Sequence, residues 1–213
     1  MGGDKLLKLI AGIAVAGHAW RRFDEAPGIS QILLVTQPAR REEFEWLAGT
    51  LSLSKPWRLV DGGPERQDSV WNGLQAVQTP WVAIHDAARP CVSAVTIEKT
   101  LEAARRTGAA VAAQRVVDTL KMADASGYIL RTVDRTQLWS VQTPQVFSTD
   151  ILRRALEEVR RRGMHLTDDT AACELIGQAV ELVESDAPNP KVTTAADLPL
   201  VESLLRGDAN RGG

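Results

Sequence analysis

The stretch that decides the fold is WVAIHDAARP, Trp81–Pro90. It opens with an apolar run of the length expected for a strand buried within a sheet. An imidazole, a carboxylate and a guanidinium follow, carried by His85, Asp86 and Arg89. Pro90 disfavours a helical conformation at Arg89, so we predict that the chain turns there. A buried strand that ends in charged side chains suits an open α/β sheet, where ligands bind beyond the carboxyl ends of the strands.

The charged residues after this strand suit two different roles. Asp86 would suit a metal ion or a substrate hydroxyl, and the fork of donors on Arg89 fits phosphate oxygens. The alternative is an Asp–Arg pair that only pins a loop, with His85 as a hydrogen-bonded spacer. These residues alone favour neither interpretation.

The composition is that of an ordinary globular protein. The chain has 213 residues, 44% hydrophobic and 24% charged, which suits one domain or one domain with a small appendage. A formal net charge of -2 gives no reason to expect non-specific binding to nucleic acid. The one dense basic run, residues 153–162, alternates with Glu157 and Glu158 and is typical of a solvated helix face.

The two cysteines argue against a disulfide framework or a zinc site. Cys91 and Cys173 are far apart in the chain and have no metal-ligand spacing. We therefore expect a reducing cytoplasm, or a plastid-like stroma if the source is eukaryotic. The apolar stretch at residues 6–19 is too short to span a membrane, and no small-residue cleavage site follows it.

Apolar runs of strand length alternate with segments of helical spacing along most of the chain. Such alternation predicts βαβ units and a parallel sheet. The predicted strands lie at 32–36, 57–60, 81–84, 109–113 and 180–184, and the predicted helices at 13–23, 40–51, 69–77, 93–106, 149–162, 169–176 and 194–205.

This alternation stops between residues 114 and 138. Short β-prone segments there are separated by Ala125-Ser126-Gly127, a pattern that predicts an extended hairpin. An isolated hairpin buries little surface, so we expect this arm to contact another subunit. The alternative is a long lid over the chain's own sheet.

Several residues near predicted strand ends suit a phosphorylated ligand, although each has an ordinary structural alternative. Gly62, Gly63 and Ser69 could present backbone and hydroxyl groups to a flat base, or form only a tight turn. Thr167-Asp168-Asp169 could bind a hydroxyl or metal, but helix capping also explains it. Taken singly, a cation is more often a surface residue than a ligand. The cations at these ends are Lys5, Arg89, Arg135 and Lys191.

Taken in order, these blocks resemble the 2-C-methyl-D-erythritol 4-phosphate cytidylyltransferase family of the non-mevalonate isoprenoid pathway. The resemblance runs from Lys5 to about Leu205, and the linked order of the blocks is its specific feature. The blocks are Val60–Gly63 with Arg66 and Asp68–Val70, His85–Pro90, Val117–Lys121, Thr132–Arg135, Leu138–Trp139, Thr143–Gln145, Thr167–Asp168 and Lys191–Thr193.

The resemblance implies a fold, a reaction and an assembly. The fold would be a single α/β domain over residues 1–213, with a Rossmann-like nucleotidyltransferase sheet, helices on both faces and a protruding β-arm. CTP and the sugar-alcohol phosphate would give 4-CDP-2-C-methyl-D-erythritol and pyrophosphate, with Mg²⁺ or another divalent cation bridging the triphosphate. The enzyme would be a homodimer that uses the 114–138 arm for dimerisation.

The resemblance also implies roles for single residues. The catalytic residues would be Lys5, Lys191 and Arg135. CTP would be bound by Gly62, Gly63, Ser69, Asp86 and Ala87, with Gly63 and Ser69 reading cytosine and Asp86 beside the ribose and the metal. The acceptor phosphate would be bound by Arg89, Thr119, Arg135, Thr143 and Thr167, of which Thr119 and Arg135 would come from the neighbouring subunit.

The sequence departs from the family pattern at its start, at Leu6-Leu7, where the family usually has Pro or Gln near the lysine, and at Pro64. The family opens with a central strand and a glycine-rich loop carrying an arginine, and Met1 aligns with the residue after that arginine. We therefore expect two neighbouring strands without a partner in the middle of the sheet, and a weaker grip on the triphosphate. Pro64 stands where an acidic residue is common and lacks a backbone N–H that the base might use.

Two rival functions remain open on the sequence alone. A related enzyme that makes another CDP-alcohol, such as CDP-ribitol, would share the nucleotide residues and differ around Thr119, Arg135 and Thr167. A catalytically impaired nucleotide-binding module would bind CTP and release little pyrophosphate.

Overall fold

A computed structural model describes residues 5–209, so the glycine-containing start at Met1–Asp4 lies outside the described part. The strands are β1 Leu9–Ile10, β2 Ile13–Ala14, β3 Ile32–Thr36, β4 Trp57–Asp61, β5 Trp81–Ile84, β6 Ala109–Arg115, β7 Lys121–Ala123, β8 Ile129–Thr132, β9 Trp139–Ser148 and β10 Glu181–Glu184. The helices are α1 Val15–Glu25, α2 Arg41–Leu51, α3 Arg66–Gln75, α4 Ala94–Thr107, α5 Thr149–Arg161, α6 Asp169–Leu175 and α7 Leu198–Ala209.

The main sheet has the order β10-β6-β9-β5 and is mixed. Strands β10 and β6 are parallel, but β9 runs antiparallel to both β5 and β6. The prediction of a wholly parallel sheet was therefore wrong for β9. The reason is that the chain returns from the arm straight into the sheet beside β6, without the crossover helix that a parallel neighbour needs.

Strands β3 and β4 form a separate parallel pair, so the sheet is interrupted between β3 and β5. The amide of Ile32 donates to the carbonyl of Pro56, on the β4 side. Successive residues of a strand direct their N–H and C=O groups to alternate sides, so those of Leu33 and Val35 point away from β4. Within the described residues, this edge of β3 pairs with no strand.

Strand β5 has a matching open edge. The amide of Thr149 donates to the carbonyl of Pro80, on the β9 side of the strand. The same alternation directs the backbone groups of Trp81 and Ala83 away from β9. The expectation of two strands without a partner in the middle of the sheet is confirmed for the described part of the chain.

A cavity of about 570 Å³ lies between these two edges. Its rim is formed by both strands and by side chains of the helices above and below them. It includes Trp20 and Phe23 of α1 on one side and Leu74 of α3 on the other. The lining is mainly apolar because these side chains would be buried in the interior if the sheet were continuous between β3 and β5.

Helices cover both faces of the main sheet, as the fold prediction required. Ala110 and Val146 pack with α1 and α4 on one face. Their sequence neighbours Ala109 and Phe147 pack with α3, α5 and α6 on the other. This alternation is the period-two pattern of a sheet that is buried on both sides.

The arm leaves the sheet after β6 and returns at β9. Strands β7 and β8 pair antiparallel within it, as the hairpin prediction stated. All the residues of both strands are exposed. The arm therefore contributes little to the core of its own chain. Among the described residues, no helix has the length and apolar character needed to cross a bilayer.

Candidate functional site

The carboxylate of Asp86 is the centre of the candidate site. Its Oδ2 accepts a hydrogen bond of 2.7 Å from Nζ of Lys191. Its Oδ1 lies 3.4 Å from Nε of Arg66, the first residue of α3. A backbone hydrogen bond of 2.8 Å from Val192 to the carbonyl of Ala88 fixes the segment that carries Lys191. Residues following β4, β5 and β10 thus converge on one carboxylate.

Two cations determine the charge of that carboxylate. The Asp86 side chain is 18% exposed, and burial by itself would raise its pKa. The hydrogen bond from Lys191 and the charge of Arg66 outweigh burial, so the pKa of Asp86 lies below its ordinary value. Asp86 is therefore an anion at neutral pH and suits a hydroxyl or a divalent cation.

His85 and Thr143 hold the end of β5 in place. The backbone N–H of Asp86 donates to Oγ1 of Thr143 at 3.1 Å, and that hydroxyl lies 3.0 Å from Nδ1 of His85. Nε2 of His85 lies 3.0 Å from the carbonyl of Arg89. Burial lowers the pKa of His85 to about 4, so the ring is neutral, with Nδ1 accepting from Thr143 and Nε2 donating to Arg89.

The spacer alternative for His85 therefore fits the structure. Thr143 is 3% exposed, and both of its side-chain contacts go to the His85–Asp86 segment. The Thr143 hydroxyl thus holds the end of β5. Its contact with the acceptor phosphate stays a prediction.

Arg89 is half-buried beside the 186–190 segment. Its Nη1 donates to the carbonyl of Asn189 at 2.7 Å, and the Asn189 side chain donates in turn to the carbonyl of Thr143 at 2.9 Å. Burial lowers the pKa of Arg89 without removing its charge. The guanidinium is thus held by a backbone carbonyl rather than by a carboxylate, which leaves its positive charge available to an anion.

The predicted cytosine-reading loop is tightly packed against the start of α3. The N–H of Gly63 donates to Oγ of Ser69 at 3.1 Å. A Cβ atom on Gly63 would lie 2.3 Å from Cβ of Asp68, and one on Gly62 would lie 2.9 Å from Oγ of Ser69. The glycines are needed for this close approach, so the tight-turn explanation holds. The N–H of Gly62 donates to the carbonyl of Thr36 at 2.7 Å, and the carbonyl of Gly63 accepts from Nε2 of Gln37 at 3.0 Å, so cytosine reading by this loop stays a prediction.

The structure brings Lys5 to the same region as Lys191. Nζ of Lys5 lies 3.4 Å from the carbonyl of Thr193, two residues beyond Lys191. Ala87 is half-buried against the cluster formed by α1 and α2. Lys5 therefore lies beside the 191–193 segment that carries Lys191, and its role as a cation for the triphosphate stays a prediction.

Two predicted residues are not brought to this cluster by their own chain. Thr119 and Arg135 lie on the arm and are exposed. The Arg135 guanidinium donates to the carbonyl of Val117, also on the arm. Thr167 is exposed next to Asp168, whose side chain caps α6 by accepting from the N–H of Ala171 at 3.2 Å. The capping explanation of this segment is thus correct, and the ligand role of Thr167 stays a prediction.

Sequence reasoning missed two residues of the cluster. Arg66 belongs to one of the sequence blocks shared with the family but was given no role, and Asp169 was explained as part of a helix cap. In the structure Nη2 of Arg66 lies 2.8 Å from Oδ2 of Asp169. An isolated sequence gives no signal for this contact, since it joins the starts of α3 and α6. Within residues 5–209, no group of three or more His, Cys, Asp or Glu side chains is placed to hold a metal.

Comparisons with known proteins agree on one family. The family model described as 2-C-methyl-D-erythritol 4-phosphate cytidylyltransferase matches residues 1–207. A relative of that name from Pelotomaculum thermopropionicum is 38% identical over 205 residues, which covers 95% of this chain and 86% of the relative. The one from Shouchella clausii is 38% identical over 211 residues, covering 99% of this chain and 92% of the relative.

Solved structures agree with the sequence relatives. The 2-C-methyl-D-erythritol 4-phosphate cytidylyltransferase of Thermus thermophilus superposes with a TM-score of 0.80 at 34% identity, covering 96% of this chain and 95% of that one. The 4-diphosphocytidyl-2C-methyl-D-erythritol synthase of Anaerococcus prevotii gives a TM-score of 0.86 at 25% identity, covering 96% and 92%. The chain therefore belongs to the 2-C-methyl-D-erythritol 4-phosphate cytidylyltransferase family.

Proposed function

We propose that this chain transfers a cytidylyl group from CTP to 2-C-methyl-D-erythritol 4-phosphate, releasing pyrophosphate and forming 4-diphosphocytidyl-2-C-methyl-D-erythritol. The structural observation that carries the proposal is the convergence of Lys191 and Arg66 on the carboxylate of Asp86. That arrangement places two cations beside one anion at one end of the sheet. The identity of the two substrates is inferred from the family to which the chain belongs.

The reaction needs positioning and charge neutralisation more than proton transfer. A phosphate oxygen of the acceptor attacks the α-phosphorus of CTP, the new P–O bond forms, and the α–β bond breaks to release pyrophosphate. The acceptor phosphate is an anion near neutral pH, so no strong general base is required. Lys5 and Lys191 act as cations where negative charge builds in the transition state, and they also orient the two phosphates.

The residues present are suitable for Mg²⁺. Mg²⁺ is commonly held by one or two carboxylates together with substrate phosphates, and Asp86 offers one ionised carboxylate at the centre of the cluster. Mg²⁺ bound there would neutralise charge on the triphosphate. The ionised carboxylate of Asp86 would also suit a hydrogen bond from a ribose hydroxyl.

The acceptor site is proposed to be shared between two chains. Within one chain, Arg89 and Thr143 contact the Asp86 segment and Thr167 is exposed next to the N-cap of α6, whereas Thr119 and Arg135 lie on the exposed arm. Several large apolar side chains of the arm are more than half exposed, as expected of a surface that a second copy covers. They are Val117, Tyr128, Ile129 and Leu130. We propose a homodimer in which each arm completes the partner's site.

A cytoplasmic location suits the cysteines. Cys91 and Cys173 are buried and form no disulfide, and disulfides are rare in a reducing compartment. This location is part of the proposal and rests on no targeting signal.

The test is pyrophosphate release from CTP and Mg²⁺ with either 2-C-methyl-D-erythritol 4-phosphate or ribitol 5-phosphate as acceptor. We expect a higher kcat/KM for the first acceptor. A higher value for ribitol 5-phosphate would assign the chain to another CDP-alcohol. A parallel sample carries an N-terminal apolar strand and glycine-rich loop, and we expect it to be the more active. CTP binding without pyrophosphate release from either sample would contradict the proposal.

A further inference from the structure

Arg66 connects two carboxylates that belong to different elements. Its Nε lies 3.4 Å from Oδ1 of Asp86, which follows β5, and its Nη2 lies 2.8 Å from Oδ2 of Asp169, which begins α6. The two acids therefore share one guanidinium. The shorter contact goes to Asp169, which is 2% exposed, and the longer one to Asp86, which is 18% exposed.

This division leaves Asp86 incompletely paired. An arginine binds a single carboxylate most strongly through two parallel N–H···O bonds. Asp169 takes the Nη2 group, so Asp86 receives only the long contact from Nε. Its second oxygen is held by Lys191 at 2.7 Å. One oxygen of Asp86 thus stays weakly engaged in a site that binds a hydroxyl or a divalent cation.

Asp169 is itself fixed to the sheet that carries Asp86. Its backbone N–H donates to Oε1 of Gln145 at 3.2 Å, and Nε2 of Gln145 donates to Oδ2 of Asp168 at 3.2 Å. Gln145 lies in β9 and is paired in register with Ile84, two residues before Asp86. Strand β9 therefore holds both the start of α6 and the end of β5, and this fixes the distance between Asp86 and Asp169.

We infer that Asp169 is a positioning residue for the nucleotide site. It holds the guanidinium of Arg66 so that Arg66 does not pair bidentately with Asp86. Without its charge, Arg66 can take both oxygens of Asp86 and displace Lys191. The ion pair between Arg66 and Asp169 thus controls whether the carboxylate oxygens of Asp86 are available to CTP and its metal. This inference rests on the proposed function only in naming CTP as the ligand.

The test compares Asp169→Asn with the double variant Arg66→Gln/Asp169→Asn. For the single variant we expect CTP to bind about ten- to a hundredfold more weakly by calorimetry with Mg²⁺ present, the usual cost of losing an outer partner of a ligand-binding group. The KM for the acceptor at saturating CTP should change little. The double variant should bind CTP more tightly than the single variant, because the guanidinium that competes for Asp86 is absent.

A purely structural role gives a different pattern. Asp186→Asn is the matched control, since it removes a carboxylate that accepts from Ser93 and Thr96 rather than from Arg66 or Lys191. It should lower Tm and leave CTP affinity unchanged. The inference is overturned if Asp169→Asn lowers Tm alone, or if the double variant binds CTP no better than the single one.

The binding measurement separates this inference from the proposed function. Normal turnover by the wild-type chain, with unchanged CTP affinity in Asp169→Asn, would overturn the inference alone. CTP binding that weakens in Asp169→Asn and recovers in the double variant, without product from the wild type, would overturn the proposed function alone. A wild-type chain with no affinity for CTP would overturn both.

Discussion

Nζ of Lys191 lies 2.7 Å from Oδ2 of Asp86, across a sequence separation of 105 residues. The lysine side chain is 41% exposed and the aspartate side chain 18%. An ion pair this accessible contributes little to stability. The proposed function gives the pair another role, in which Lys191 would move from Asp86 to the phosphates of a bound nucleotide.

Lys191→Ala should lower kcat by on the order of a hundredfold, because a cation that faces the developing charge is lost. Tm should change little. The measurement is steady-state pyrophosphate release at saturating CTP and acceptor, with Lys99→Ala on the exposed face of α4 as the matched control. A kcat near that of the wild type would remove Lys191 from the mechanism.

Arg135→Ala should raise the KM for the acceptor phosphate about tenfold or more, since a charge-assisted hydrogen bond is lost. The KM for CTP should stay close to the wild-type value. Arg131→Ala, at another exposed arginine of the arm, is the control and should leave both constants unchanged. Equal effects on both substrates would argue against a specific acceptor contact.

Mixed dimers of Arg135→Ala and Lys191→Ala chains should recover activity at one of their two sites. In a shared site, one active centre carries both substitutions and the other carries neither. The measurement mixes the two impaired variants at an acceptor concentration well below KM and follows activity as the chains exchange. An absence of recovery after verified exchange would place both residues in the site of a single chain.

The amides of Leu33, Val35, Trp81 and Ala83 should exchange with solvent deuterium faster than those of β6. They point into the gap between β3 and β5, whereas β6 is paired on both sides. Hydrogen exchange tracks local opening and exposed backbone hydrogen bonds. Protection equal to that of β6 would show that these edges are paired in solution.

Cys173 should resist thiol reagents at pH 8 in the native protein and react after unfolding. Burial raises its pKa from 9.0 to about 12, so almost no reactive thiolate is present in the fold. Mass spectrometry of the labelled peptides separates it from Cys91. Rapid native labelling of Cys173 would contradict its burial.

The same pKa shift predicts a loss of stability in alkali. The unfolded thiol releases its proton near pH 9, and the folded thiol only near pH 12. Between these values the unfolded state binds fewer protons, so the free energy of unfolding falls as pH rises. A Cys173→Ala variant should lack this part of the alkaline decline, and an unchanged decline would assign it to other groups.

The sequence by itself determined the local elements and the chemical types present. The helix predicted over residues 93–106 begins at Ser93, and Oγ of Ser93 caps α4 by accepting from the N–H of Thr96 at 2.9 Å. Sequence spacing is enough to predict such a contact, since an N-cap side chain binds a backbone N–H only two or three residues later. The apolar run before His85, the hairpin of the arm and the order of the family blocks are likewise properties of contiguous sequence.

Only the tertiary structure decided which residues meet. Neither the antiparallel direction of β9 nor the open edges of β3 and β5 is visible from periodicity, because apolar runs look alike in either direction. The sharing of Arg66 between Asp86 and Asp169 joins three distant segments, and pairing of this kind depends on the packing of α3 and α6 on the sheet. The sequence determined the chemistry available to the site, and the fold determined which of its charges lie within contact of one another.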